Sequence, residues 1–112
     1  MARSIATNTV VDLSELLEFV RPRHRMLIAT TRTDGRPQIS PVSGGVDGDG
    51  RIVISSYPTR SKTRNAERDR QTSVLVLSDD WDGAWVQVDG DAEVLHMPEA
   101  ADGLVEYFRC IS

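Results

Sequence analysis

The residues of this chain best suited to binding a small molecule lie between positions 58 and 65. The segment carries three cations and three neutral hydrogen-bond donors: Arg60, Lys62 and Arg64, and Ser61, Thr63 and Asn65. Helical composition from Ser61 to Asp69 places them at the start of a predicted helix, where the helix dipole is already positive. A phosphate there would accept from backbone N–H groups and from guanidinium groups. The alternative is a solvated basic turn.

A second basic cluster spans residues 21–25, with arginines at positions 21, 23 and 25. Cations that follow a helix complement its negative end, which is a sufficient structural reason for them. The functional interpretation is a clamp for additional negative charge on the same ligand. Both interpretations remain open on the sequence alone.

The third feature is a predicted strand that is rich in small side chains. Its first part runs through Gln38, Ile39, Ser40, Pro41 and Val42, and Ser43-Gly44-Gly45 follows. Small side chains allow a planar ring to approach the backbone closely, and Pro41 leaves a gap in the hydrogen-bond ladder. A kinked edge strand explains the same residues.

Groups for acid–base, nucleophilic or metal chemistry do not form a pattern. His24 and His96 are isolated, so we expect no metal site. Cys110 lies in a predicted helix without a neighbouring base, and we predict no catalytic residue. An enzyme of this kind would rely on a bound cofactor for its chemistry.

Length and charge restrict the class of protein. We expect the 112 residues to form a single domain, residues 1–112, whose first 11 residues are a flexible arm. A chain of this size exposes much of its surface, which favours an oligomer. The net charge of −4 argues against nucleic-acid binding, and no apolar run is long enough to cross a membrane. The single cysteine suits the reducing cytoplasm.

Hydrophobic periodicity predicts a mainly β protein with a few short helices. Tight turns at Asp34-Gly35 and at residues 47–50 favour antiparallel strands in a meander or barrel. We expect Asp12 to cap the first helix, whose apolar residues recur at helical spacing, and Ser61 to cap the second. We expect Gly90 to mark a bulge or a sharp bend, and Trp81 and Trp85 to lie in the core or an interface. The predicted helices are 12–20, 61–69 and one that begins at Pro98, and the predicted strands are 26–32, 38–46, 51–57, 73–77 and 85–95.

With these elements in place, the chain resembles the pyridoxamine 5′-phosphate oxidase-like split β-barrels, an antiparallel FMN-binding fold. Within that family it is most similar to the actinobacterial branch that uses the deazaflavin coenzyme F420. The likeness runs from about residue 12 to the end, although relatives usually continue to a further barrel strand. It rests on Leu27-Ile28-Ala29-Thr30-Thr31, Asp34-Gly35-Arg36-Pro37-Gln38-Ile39-Ser40, Val53-Ile54-Ser55, Arg60-Ser61-Lys62-Thr63-Arg64-Asn65 and Trp85-Val86-Gln87-Val88-Asp89-Gly90.

The resemblance implies a homodimer with two cofactor sites at the subunit interface. It implies that the strand from Gln38 to Val42 lies beside the ring system of the cofactor. Pro41 and Gly44-Gly45 replace bulkier or polar residues of the relatives. The implied phosphate ligands are Arg60, Lys62 and Asn65, with Ser61 and Arg64 as weaker candidates.

The function implied is an F420-dependent reductase that transfers hydride from reduced deazaflavin to an unsaturated small molecule. One alternative is an FMN-dependent oxidoreductase of the same fold. Another is a module that binds or sequesters the cofactor without turnover, because a site without catalytic residues suits it equally well.

Overall fold

The computed structural model describes residues 12–97. The N-terminal arm and the helix predicted from Pro98, with Cys110, lie outside these residues. The elements in chain order are α1 (Leu13–Val20), β1 (Arg25–Thr31), β2 (Pro37–Val46), β3 (Ile52–Ile54), α2 (Ser61–Arg68), β4 (Gln71–Leu77) and β5 (Trp85–Asp91). Within this part of the chain, neither helix has the length needed to span a membrane.

The strands form one curled antiparallel sheet, a half-barrel in the order β3-β2-β1-β4-β5, which confirms the predicted mainly β class and split-barrel fold. Strand β2 is the longest, and it changes partner along its length. Residues 37–43 pair with β1, and residues 44–46 pair with β3. The β1–β2 connection contains Gly35 at φ 85°, a backbone conformation that favours glycine.

One face of the sheet carries the core. Met26 on β1 and Val74 and Val76 on β4 alternate with outward residues, and Val20 of α1 closes over them. Asp12 starts α1 by accepting a hydrogen bond from the Glu15 backbone N–H at 2.9 Å, as the sequence predicts. Both helices pack on this inner face, since Asn65 of α2 contacts Thr30, an inward neighbour of Met26.

Three local predictions are wrong, and a fourth is narrowed. Strand β3 ends at Ile54 instead of Tyr57, and its pairing with β2 covers only residues 44–46. Gly90 pairs with Thr72 in uninterrupted register, so it forms no bulge, and β5 ends at Asp91. The N-cap of α2 is Arg60, not Ser61. Trp81 and Trp85 lie outside the core, with Trp81 94% exposed, so the interface is the part of their prediction that stays open.

Candidate functional site

The start of α2 presents backbone donors without an acceptor. Arg60 occupies the N-cap position, and no side chain caps the helix. The N–H groups of Thr63 and Arg64 both donate to the Arg60 carbonyl at 3.1 Å. Within the described chain, the N–H groups of Ser61 and Lys62 are left without a partner. Open N–H groups at a helix start form an anion-binding arrangement.

The charges around these N–H groups are positive and not neutralised. In residues 12–97, the cations Arg60, Lys62 and Arg64 form no ion pair, and the first turn of α2 has no acidic residue. By contrast, Arg51 pairs with Asp47 and Asp49 at 3.0 Å. The positive end of the helix dipole adds to this field. An anion would therefore be stabilised here and a cation repelled.

The turn before α2 is fastened to the helix. Thr63 Oγ1 lies 3.0 Å from the Tyr57 carbonyl and 3.1 Å from Ser56 Oγ. The Arg60 guanidinium lies over the Tyr57 ring, 5.8 Å from its centroid, in a cation–π contact. Thr63 is therefore occupied in holding the turn, whereas the Arg60 side chain is exposed and oriented by an aromatic face.

Asn65 lies at the opposite end of the predicted phosphate segment and is only 7% exposed. Its Nδ2 donates to Thr30 Oγ1 at 3.2 Å and to Gln38 Oε1 at 3.1 Å. Its Oδ1 accepts from Arg68 Nη2 at 3.1 Å, and the same nitrogen donates to the Thr31 carbonyl. Asn65 thus joins α2 to β1 and β2, with both amide protons in use.

The strand residues predicted to lie beside the ring are divided between two faces. Gln38, Ser40 and Val42 are half-buried on the inner face, where Val42 packs against the core. Ile39 and Pro41 point outward, and Ile39 is 62% exposed. Their side chains therefore cannot all contact one ring. The structure brings Gln38 directly to α2 through Asn65.

One cation of the second basic cluster, Arg23, stabilises the end of α1. Arg23 Nη1 donates to the Phe19 carbonyl at 2.7 Å, and its guanidinium lies 4.0 Å from the centroid of the Phe19 ring. This is the structural role that the sequence allowed for a cation after a helix. Arg25 stands at the start of β1, so about 17 Å of strand separates it from Thr30, where α2 is attached.

A concavity of about 640 Å³ lies on the outer face of the sheet, opposite α2. Its floor is polar and contains no cation. The Ser73 hydroxyl and then the Gln87 amide hold the pKa of Asp89 below its ordinary value, at distances of 2.6 and 2.9 Å. A phosphate would be repelled by Asp89 and Asp91 here. The donors at α2, not this concavity, therefore suit a phosphate.

The two histidines are in separate settings. His24 Nδ1 lies 2.9 Å from the Gly44 carbonyl, and His96 Nε2 lies 3.3 Å from a Glu67 carboxylate oxygen. Among residues 12–97, no three His, Cys, Asp or Glu side chains come together as metal ligands would.

Three residues of this site were not predicted from the sequence to belong to it. Thr30 and Arg68 complete the hydrogen bonds of Asn65, and Tyr57 orients Arg60. The spacing of Asn65 and Arg68, three residues apart on a helix, signals that these side chains can meet. Nothing in the sequence indicates which strand receives them.

The comparisons with known proteins agree with this architecture. Residues 13–109 match the model of the pyridoxamine 5′-phosphate oxidase family. A conserved hypothetical protein of Mycobacterium tuberculosis is 28% identical over 88% of this chain and 62% of its own, with a TM-score of 0.69. An F420 reductase is 25% identical over 69% of this chain and 61% of its own, with a TM-score of 0.60.

A heme-binding protein of Mycobacterium smegmatis shares the fold at 23% identity and a TM-score of 0.70, over 93% of this chain and 45% of its own. The chain thus spans between 45% and 62% of the length of these three structures. Since the family model matches most of the sequence, and the sheet has the expected topology, this chain belongs to the pyridoxamine 5′-phosphate oxidase family.

Proposed function

We propose that this protein binds coenzyme F420 and acts as an F420-dependent reductase of small unsaturated molecules. The observation that carries the proposal is the start of α2, where, within the described chain, two open backbone N–H groups and three cations without an ion pair belong to the same turn of backbone, residues 60–64. The chain as a whole has a net charge of −4, so this positive region is a local departure. The similarity to an F420 reductase at 25% identity favours the deazaflavin over other phosphate-bearing cofactors.

The residues have separate roles in this proposal. Lys62 and Arg64, with the N–H groups of Ser61 and Lys62, would hold the cofactor phosphate, and Arg60 would close over it from the face of Tyr57. Gln38, attached to α2 through Asn65, would lie beside the ring. When bound, reduced F420 supplies the hydride, and the protein contributes position rather than an acid or base.

An FMN-dependent oxidoreductase is the second candidate. One observation favours it: Arg23, the central cation of the second basic cluster, is engaged with Phe19. This makes the start of α2 the stronger of the two basic clusters as an anion site, and one site is sufficient for FMN. A module that binds the cofactor without turnover remains the third candidate, and its mark is tight binding without any rate above that of free reduced cofactor.

The first experiment is a fluorescence titration of the purified protein with F420 and, separately, with FMN at physiological salt. Tighter binding of F420 supports the proposal, and tighter binding of FMN selects the second candidate. Binding of neither overturns the assignment of the site. Hydride transfer to a panel of conjugated small molecules then separates a reductase from a binding module.

The variant Lys62→Ala tests the phosphate site. We expect cofactor affinity to fall by about ten- to a hundredfold, because a charge-assisted hydrogen bond is lost. The free energy of unfolding should change by no more than about 0.5 kcal/mol, as at other surface positions.

The matched control for this variant is Arg36→Ala, which removes one positive charge from the β1–β2 turn. The side chain of Arg36 is 79% exposed and lies 4.0 Å from Asp34. This control should bind the cofactor within about twofold of the parent protein, because the field of an exposed charge beside Asp34 is weakened by solvent and by that carboxylate. Equal losses in both variants would mean that affinity follows net charge and not the α2 site.

A further inference from the structure

The structure assigns to Arg68 and Asn65 a role in fixing which atom Gln38 presents to a ligand, an inference that rests on the proposed function. In this arrangement Arg68 sets the direction of a chain of hydrogen bonds that ends at the Gln38 amide. The chain leaves Gln38 with a donor, so the ligand group it recognises is an acceptor. Arg68 and Asn65 are positioning residues and need not touch the ligand.

The direction of the chain follows from the chemistry of Arg68. A guanidinium has only donors, so the Asn65 atom that faces Arg68 Nη2 at 3.1 Å must be the oxygen Oδ1. The amide nitrogen of Asn65 is thereby turned toward the sheet. Arg68 is itself held by the Thr31 carbonyl at the end of β1, which fixes its position relative to the strand.

The two protons on Asn65 Nδ2 then have one acceptor each. Thr30 Oγ1 lies at 3.2 Å and Gln38 Oε1 at 3.1 Å. Thr30 and Gln38 are cross-strand partners in the β1–β2 register, so one inward side chain from α2 reaches both. Asn65 is 7% exposed and Thr30 is 2% exposed, and at such depth an unsatisfied amide is costly.

The consequence appears at Gln38. The Gln38 oxygen Oε1 accepts from Asn65, so the Gln38 group that remains available to a ligand is the Nε2 donor. A flipped Gln38 would set Nε2 against the Nδ2 of Asn65, donor against donor. Gln38 therefore presents a donor, which suits a carbonyl or phosphate oxygen of the cofactor and disfavours a ligand N–H.

Three substitutions separate polarity from packing. Arg68→Lys keeps a donor-only side chain and should retain cofactor affinity within about threefold, whereas Arg68→Gln, which can donate or accept, should lose more than that. Asn65→Asp preserves shape and can still pair with Arg68, but its carboxylate only accepts. Gln38 then has to turn Nε2 toward the new carboxylate, and affinity should fall on the order of tenfold.

A double-mutant cycle identifies the route of the effect. In a Gln38→Ala background, Asn65→Asp should lower affinity by no more than about twofold, because the group through which it acts is gone. The new carboxylate also repels a phosphate, so the cycle is measured with riboflavin as well as with FMN. A full tenfold loss for riboflavin in that background would overturn the proposal and place Asn65 in direct contact with the ligand or in the fold alone. So would equal affinities for Asn65→Asp and the parent protein.

One further measurement locates the ligand atom that Gln38 contacts, and another tests the hydrogen-bond chain without a ligand. Comparing FMN with riboflavin distinguishes a phosphate oxygen from a ring carbonyl: an equal effect of Gln38→Ala on both places the acceptor in the ring. If neither F420 nor FMN binds, the proposed function fails, yet the hydrogen-bond chain is still testable in the ligand-free protein.

Nuclear magnetic resonance provides that ligand-free test. The side-chain NH₂ protons of Asn65 should be protected from exchange with water, and those of Gln38 should exchange fast. In Asn65→Asp, the Gln38 protons should become protected. Protected Gln38 protons in the parent protein would overturn the assigned direction even if every affinity behaved as expected.

Discussion

At the scale of single residues, the neighbourhoods of Asp47 and Asn65 show how this chain buries polar groups. Asp47 is 5% exposed, and it accepts from the backbone N–H groups of Asp49 and Arg51 and from Arg51 Nε, at 2.9 to 3.0 Å. Burial by itself raises the pKa of Asp47, but these hydrogen bonds outweigh it and hold the pKa below 3.8. The carboxylate closes the β2–β3 turn instead of binding a ligand.

The depressed pKa of Asp47 predicts a pH dependence of stability. Its contribution is fully present above the unfolded pKa of 3.8 and is lost as pH falls through the lower pKa of the folded state. Between about pH 4 and pH 2 the free energy of unfolding of the parent protein should therefore fall more steeply than that of Asp47→Asn. At pH 7 the variant should be about 1–3 kcal/mol less stable.

Urea denaturation from pH 2 to pH 7 measures this difference. Asp12 and Asp89 are exposed carboxylates whose pKa values are also lowered, by hydrogen bonds from the backbone of Glu15 and from Ser73 respectively. Both remain in the variant, so the difference between the two curves isolates Asp47. Parallel curves would contradict the prediction.

At the scale of elements, β2 organises the molecule, because it supplies residues to the core, to β3 and to the candidate site. Gly44 lies where the strand leaves β1 for β3, and a Cβ at this position would overlap the Sδ of Met26. Met26 is 2% exposed and has little room to move. The constraint at this position is packing and not backbone conformation, because a side chain here would force the end of the buried Met26 side chain to move.

Gly44→Ala should therefore destabilise the fold by about 1–3 kcal/mol through overpacking. The matched control is Gly90→Ala, since nothing lies within 4 Å of a Cβ built at Gly90 and its φ is not positive. The control should be neutral or slightly more stable, because alanine restricts the unfolded chain. Thermal unfolding of both variants checks the pair, and equal losses would rule out the contact with Met26 as the cause.

Local sequence patterns were sufficient for most elements and for the position of the basic cluster. The apolar spacing of α1 and its Asp12 cap, and the turn at Gly35, depend on neighbours in sequence, and they were predicted correctly. The end of β3 and the regular pairing of Gly90 depend on partner strands, which no local pattern specifies. The burial of Asn65 against β1 and β2 is likewise a tertiary contact, which the local pattern does not specify.

At the scale of the whole molecule, the two faces of the sheet differ. The helices cover the inner face, whereas the outer face carries Leu27, Leu75 and Leu77, half-buried, and Trp85, 54% exposed. No helix of the described chain covers these residues. An exposed apolar face of this kind is typical of a protein–protein contact, which favours a dimer through the outer face. Since α2 packs on the inner face, this contact differs from the implied arrangement with cofactor sites at the interface.

The dimer is testable at Trp85. We expect Trp85→Lys to lower the molar mass measured by light scattering from that of a dimer toward that of a monomer, because a charge would be buried in the contact. Leu13→Lys is the matched control, since Leu13 is 68% exposed on α1 and lies on the helical side. A parent protein that is monomeric at micromolar concentration, or a dimer unaffected by Trp85→Lys, would contradict this arrangement.

The prolines of β2 have a consequence for solubility. Residues 37–43 pair with β1 on one side only, and no described strand lies on the other. The backbone groups of even-numbered residues in this part of β2 bond to β1, so those of odd-numbered residues such as Pro37 and Pro41 face the open side. Proline has no N–H, and these two positions therefore offer no hydrogen-bond donor there. A strand from a second, misfolded chain would find only Ile39 able to donate between them. The exposed border of the sheet is thus a poor template for amyloid-like growth, even before any partner covers it.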